Sequence, residues 1–177
     1  TLVGNIEHSA AIARSGHSLS LDYNDNIRAR HLVYRMRSAK DLDKAKTLFR
    51  NLGDRYPEFA SAHSGLALSH LAEFLMGWAS RPLETLNKAA HAAQLALELD
   101  PSDSGAHAAV GVTQIWQRNH DRAMTHLDRA VELNPNDTDV IAARALGLIF
   151  QGRPIAAFAA LENVLDANPY APAWYFW

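Results

Sequence analysis

Apolar and small residues recur along this chain at offsets of three and four, the spacing that lines up side chains on one face of an α-helix. The pattern is clearest upstream of four prolines, Pro57, Pro101, Pro135 and Pro169. Twelve residues before them stand Ala45, Ala89, Ala123 and Ala157; eight before, Phe49, Ala93, Leu127 and Leu161; five before, Leu52, Ala96, Ala130 and Val164. A buried stripe with alanine in it lets a second helix approach closely. Beyond the first three prolines the pattern restarts, with Ala62, Ala106 and Val140 five residues on and Ala67, Gly111 and Ala145 ten residues on. Between the two runs lie PSDS and PNDT, whose side-chain oxygens can take the free amides of a new helix after proline has ended the last one. The predicted unit is helix, turn, helix.

Pro101, Pro135 and Pro169 are evenly spaced, and Pro57 stands ten positions further back than that spacing requires. At the same interval VELNPNDTDVIAARAL restates LELDPSDSGAHAAVGV. A two-helix unit cannot bury its own apolar face, so repetition at a period of about 34 residues means that copies stack on one another. The period, the recurrent small residue, the alanine opening the second helix and the closing proline resemble the tetratricopeptide repeat (TPR), over about Asn26 to Pro169. That resemblance implies an all-α fold, an α-solenoid of helical hairpins stacked in a right-handed superhelix. The expected organisation is an N-terminal helix near Leu2–Ser15 with its connection over 1–25, an array of about four repeats over 26–169, and a truncated further repeat at 170–177 that carries Trp174, Tyr175, Phe176 and Trp177. Two positions depart from the pattern: Arg144 where other repeats have Leu66 and Val110, and Arg55 where they have Leu99 and Leu133.

One interval is longer. Ala89 follows Pro57 by ten positions more than Ala123 follows Pro101. The ten extra fall around AEFLMGWASRPLETLNKA, where Gly77 and Pro82 break the helical pattern. An insertion near 74–84 is expected to pack as a loop, because Phe74, Met76 and Trp78 are too apolar to be left in water. With IRARHLVYRMRSAKDLDKAKTLFRNL upstream and LELDPSDSGAHAAVGV downstream, this region is similar to the TPR regions attached to bacterial class III adenylate cyclases and to winged-helix transcription regulators. The similarity implies the sensing or docking C-terminal half of a signalling protein, with any catalytic or DNA-binding domain outside these residues.

Composition narrows the chemistry. Lys and Arg number 17 against 19 Asp and Glu, a net charge of -2, so no basic field exists to hold nucleic acid or an anionic membrane surface. No apolar run approaches the ~18 residues of a membrane helix, and the absence of Cys fits a reducing, cytoplasmic setting. The opening TLVGNIEHSAAIARS, without Met, reads as a piece of a longer chain.

The nine histidines include no pair three or four apart, so no helical zinc motif is present. His63 and His107 share an offset six residues after proline, where a structural place beside the neighbouring helix is expected. GLIFQGRP has Arg153 and Pro154 where a phosphate loop needs Lys and Ser or Thr. The adjacent pairs His63-Ser64 and Ser69-His70 point their side chains apart. Neither an enzyme nor a cofactor is expected.

What remains is surface. Stacked hairpins present their first helices on a concave face, where TPR proteins hold extended peptides or partner helices, in one well-known form through Lys, Arg and Asn that grip a terminal carboxylate. Here the corresponding face is apolar: Ala108, Val112, Ile115, Trp116, Ala142, Leu146, Ile149 and Phe150. The expected function is a non-catalytic docking or self-association module. Its partner is a protein or peptide, or a second copy of the chain, and Val112, Ile115, Trp116, Leu146, Ile149 and Phe150 are the candidate contacts. The alternative is a small-molecule sensor with a pocket near Trp78.

Overall fold

A computed structural model describes residues 18–167. They form eight helices, α1 (Ser18–Arg35), α2 (Ala39–Arg55), α3 (Ala60–Leu75), α4 (Pro82–Leu99), α5 (Ser104–Trp116), α6 (His120–Leu133), α7 (Thr138–Phe150) and α8 (Pro154–Ala167). Residues 18–25, expected in the N-terminal connection, are part of α1. The sequence readings for Leu2–Ser15 and 170–177 lie outside the described residues.

Local chemistry sets the ends. Ser38, Asp103 and Asp137 cap α2, α5 and α7 by accepting from backbone amides of the first turn. Pro82 and Pro154 stand at helix starts, where the missing N–H costs nothing. Tyr56, Asp100 and Asn134 each precede a proline and hold φ at -132°, -140° and -143°, because the proline ring excludes the helical conformation from the residue before it.

Consecutive helices pack as antiparallel hairpins, and α1, α3, α5 and α7 also touch in sequence, so the odd helices form one layer and the even helices the other. A continuous core runs from Ala67 and Leu71 through Leu86, Ala109 and Ile115 to Leu127, Val140 and Leu148. Leu127 is its wedge. A Cβ on Gly111 would lie 2.5 Å from Leu127 Cγ, and one on Gly147 would lie 2.6 Å from both Leu127 Cδ1 and Met124 Sδ. Glycine at these two sites is what allows α6 to seat between α5 and α7. At the joint between α2 and α3, Gly65 does the same against the Phe49 ring.

Both departures from the repeat pattern have a structural reason. Arg55 pairs with the buried carboxylate of Asp22, which also accepts from the Tyr56 hydroxyl at 2.7 Å, tying the end of α2 to the start of α1. Arg144 donates from Nε to Asp128 Oδ1 at 2.6 Å and so links α7 to α6. The long interval is only partly a loop. With 16 residues α3 exceeds the 13 of α5, and with 18 residues α4 exceeds the 14 of α6. The connection 76–81 takes up only the remainder, against 117–119 and 151–153 in the later hairpins. Phe74 therefore belongs to α3, and Met76 is that helix's cap residue. No described helix is long and apolar enough to cross a membrane.

Candidate protein-contact surface

The odd-helix layer is polar at its start. Arg30 on α1 donates from Nη2 to Ser61 Oγ at 2.8 Å and to Ser64 Oγ and Ser61 O at 3.2 Å, and Asn26 donates to Ser61 Oγ at 3.3 Å. Beneath it, the buried Lys46 of α2 meets Glu73 of α3 at 2.9 Å, with His70 Nδ1 at 3.5 Å from the same carboxylate. Arg30 and Lys46 are thereby paired within the array, while Asn26 Oδ1 is buried without a hydrogen-bond partner among the described residues.

The later repeats differ. Val112 and Ile115, expected on the open face, are 6% and 2% exposed and belong to the core. Neighbours on both sides enclose α5, with α6 behind it and α3 and α7 beside it, so the middle of the helix has no open face. Leu146 is half-buried against the same core. Exposure returns where the odd helices end: Trp116, Ile149 and Phe150 are 42%, 46% and 43% exposed.

There the rings form a row. Phe74 of α3 stands 5.2 Å from Trp116 of α5 at an interplanar angle of 74°, and Trp116 stands 5.7 Å from Phe150 of α7 at 63°. Edge-to-face contact of this kind adds ~0.5–1.5 kcal/mol beyond area burial. It fixes the rings while leaving part of each in solvent. His120, the first residue of α6, stacks on Phe150 at 6.0 Å and 17°. Sequence reading missed His120, and the only signal would have been its place just past the turn that follows Trp116. Met76 and Trp78, half-buried, follow Phe74 in the connection to α4.

The histidines after the prolines close turns. His63 Nε2 lies 2.9 Å from Pro57 O, and His107 Nε2 lies 3.1 Å from Pro101 O. A carbonyl can only accept, so each Nε2 carries its hydrogen. The Nδ1 of His107 then faces His126 Nδ1 of α6 at 3.0 Å, not His63. In the tautomer with its hydrogen on Nε2, His107 Nδ1 is the acceptor of that contact and His126 Nδ1 the donor. Burial, and then the nearby His107, pull the His126 pKa below the usual histidine value. Burial likewise pulls His70 down; hydrogen bonding to Glu73 opposes this, and the charges of Lys46 and Arg50 add to it.

Both imidazoles take a proton more readily in the unfolded chain. Their contribution to stability is therefore complete above the unfolded pKa of about 6.5 and is lost as pH falls below it. Urea midpoints are expected to hold from pH 8 to 7 and to drop by pH 5.5, with a smaller drop in His126→Gln. A wild-type midpoint unchanged at pH 5.5 would contradict this coupling.

Among the described residues no group of three or more His, Asp or Glu could hold a metal ion. A tetratricopeptide-repeat family model matches residues 33–58. The fold is similar to the crystal structure of a thermophilic TPR protein of Thermus thermophilus, with a TM-score of 0.60 and 20% identity, covering 73% of this chain and 66% of that one. It is similar to a mutant O-GlcNAc transferase of Thermobaculum terrenum, with a TM-score of 0.56 and 19% identity, covering 81% of this chain and 26% of that one. MamA gives a TM-score of 0.52 and 18% identity, covering 73% of this chain and 70% of that one. The chain thus spans 66% of the Thermus protein and 26% of the transferase. No curated protein matches it in sequence. The architecture is a TPR-type α-solenoid, a scaffold that does not by itself specify an activity.

Proposed function

We propose that this chain is a non-catalytic docking module that seats a protein or peptide partner on the aromatic row at the ends of α3, α5 and α7. TPR arrays are in general protein-interaction modules. The observation that carries the reading here is the row Phe74, Trp116 and Phe150, held by ring contacts at 5.2 and 5.7 Å, in which Phe74 is packed on the core while Trp116, Phe150 and the adjacent Ile149 are exposed. Aromatic side chains already fixed in place lose little conformational freedom on binding and are the usual anchors of an interface. On the sequence resemblance of the segment around 74–84, the module serves as the regulatory C-terminal part of a bacterial signalling protein. The competing reading, a small-molecule sensor, relies on the half-buried Trp78.

Selection of a random twelve-residue peptide display library on the immobilised chain tests this. Peptides with aromatic or aliphatic anchors are expected on the wild type and not on a Trp116→Ser, Phe150→Ser double variant. A metabolite that raises the melting temperature, with no peptide selected, would replace docking by sensing.

A further inference from the structure

We infer that the docking edge selects partner segments in which acidic residues flank the apolar anchors. This rests on the docking reading above and adds the charge of the partner. The turns that leave α3, α5 and α7 are built alike. Trp78 N donates to Glu73 O at 3.0 Å, Asn119 N to Gln114 O at 2.9 Å, and Arg153 N to Leu148 O at 2.9 Å, the long-range bond of a Schellman ending. One residue earlier in each turn the backbone is left-handed: Gly77 at φ 67°, Arg118 at φ 62° and Gly152 at φ 74°. Two of the three turns use glycine, the residue without a Cβ to strain there. The middle one uses arginine, and strain of this kind at an exposed position points to a use for the side chain.

Charge gives the use. The three connections, MGWASR over 76–81, QRN over 117–119 and QGR over 151–153, contain three arginines and no carboxylate, in a chain whose net charge is -2. Arg81 is paired with Glu84 at 3.2 Å. Arg118 and Arg153 are exposed and make no ion pair among the described residues. They follow Trp116 and Phe150 by two and three residues, so each of these two exposed rings has an unpaired arginine in the turn just beyond it. A segment with Asp or Glu on either side of its anchors meets that edge with complementary charge. Single-stranded nucleic acid also combines negative charge with stacking bases. Here, though, the rings sit edge to face at 74° and 63°, each covering part of its neighbour, and the chain as a whole is acidic.

The test compares the wild type with Arg118→Gly, using the same peptide library and a ten-nucleotide oligothymidine competitor. Because glycine is the residue of the sister turns, the variant is expected to keep its melting temperature or raise it. Peptides from the wild type should be enriched in Asp and Glu around apolar anchors and should bind Arg118→Gly about two- to fivefold more weakly, with a shallower salt dependence. The oligonucleotide should not compete. Selected peptides without acidic excess, or equal affinity for both proteins, would overturn the charge selection while leaving docking in place. Competition by the oligonucleotide would overturn it in favour of nucleic acid. No peptide selected on either protein would overturn the docking reading beneath it.

Discussion

Leu127→Ala is expected to destabilise the chain by about 2–5 kcal/mol and to melt the C-terminal repeats ahead of the N-terminal ones. The side chain is fully buried and wedged between the glycines of α5 and α7, each so close that a Cβ would strike it. Removing it empties the joint between two hairpins. The backbones on either side are already in close contact, so collapse into the space is restricted, and the cost lies toward the upper part of that range. Because each hairpin of a solenoid is stabilised largely by its neighbours, loss at the α6 joint should separate one transition into two. Chemical unfolding followed by far-ultraviolet circular dichroism reads both the midpoint and the number of transitions. A single transition shifted by less than half a kcal/mol would show that the joint is not built as described.

The second large effect concerns binding rather than folding. Trp116→Ser with Phe150→Ser should leave the helices and the oligomeric state unchanged while weakening a selected peptide by at least 30-fold, since a central aromatic anchor commonly contributes ~2 kcal/mol or more. Both rings are more than two-fifths exposed, and both stand on the last residue of a helix rather than within the core. Buried aromatics in their place would instead cost ~3–5 kcal/mol each, and the array would unfold. The folding signal and the binding signal thus separate the two possibilities.

Much of the architecture was legible because the repeat imposes it. Ala45, Ala89, Ala123 and Ala157, read from their common distance to a proline, are all buried at helix joints. The site was less legible, for a definite reason. From Ala106 to Trp116 nearly every residue of α5 is apolar or small, as befits a helix enclosed by neighbours, and such a run carries no phase to tell an enclosed side from an open one. Val112 and Ile115 therefore read like Trp116, although only Trp116 reaches past the adjacent helices. Nor could the pattern show that Phe74 completes the row, because the extra residues of α3 shift it out of the repeat register. The His107–His126 contact joins residues of different helices 19 apart, beyond any single-helix rule. Arg118 was readable in principle: it stands one full repeat before Gly152, at the position where a turn asks for glycine.

The most direct test of the aromatic row as the docking surface is a nuclear magnetic resonance footprint, recorded on the labelled chain as a selected peptide is added. The indole N–H of Trp116 and the methyl groups of Ile149 should move first and furthest, with Trp78 moving less and Ile27 on α1 not at all. Shifts confined to α1 and α2, with Trp116 and Ile149 unmoved at saturation, would contradict the account.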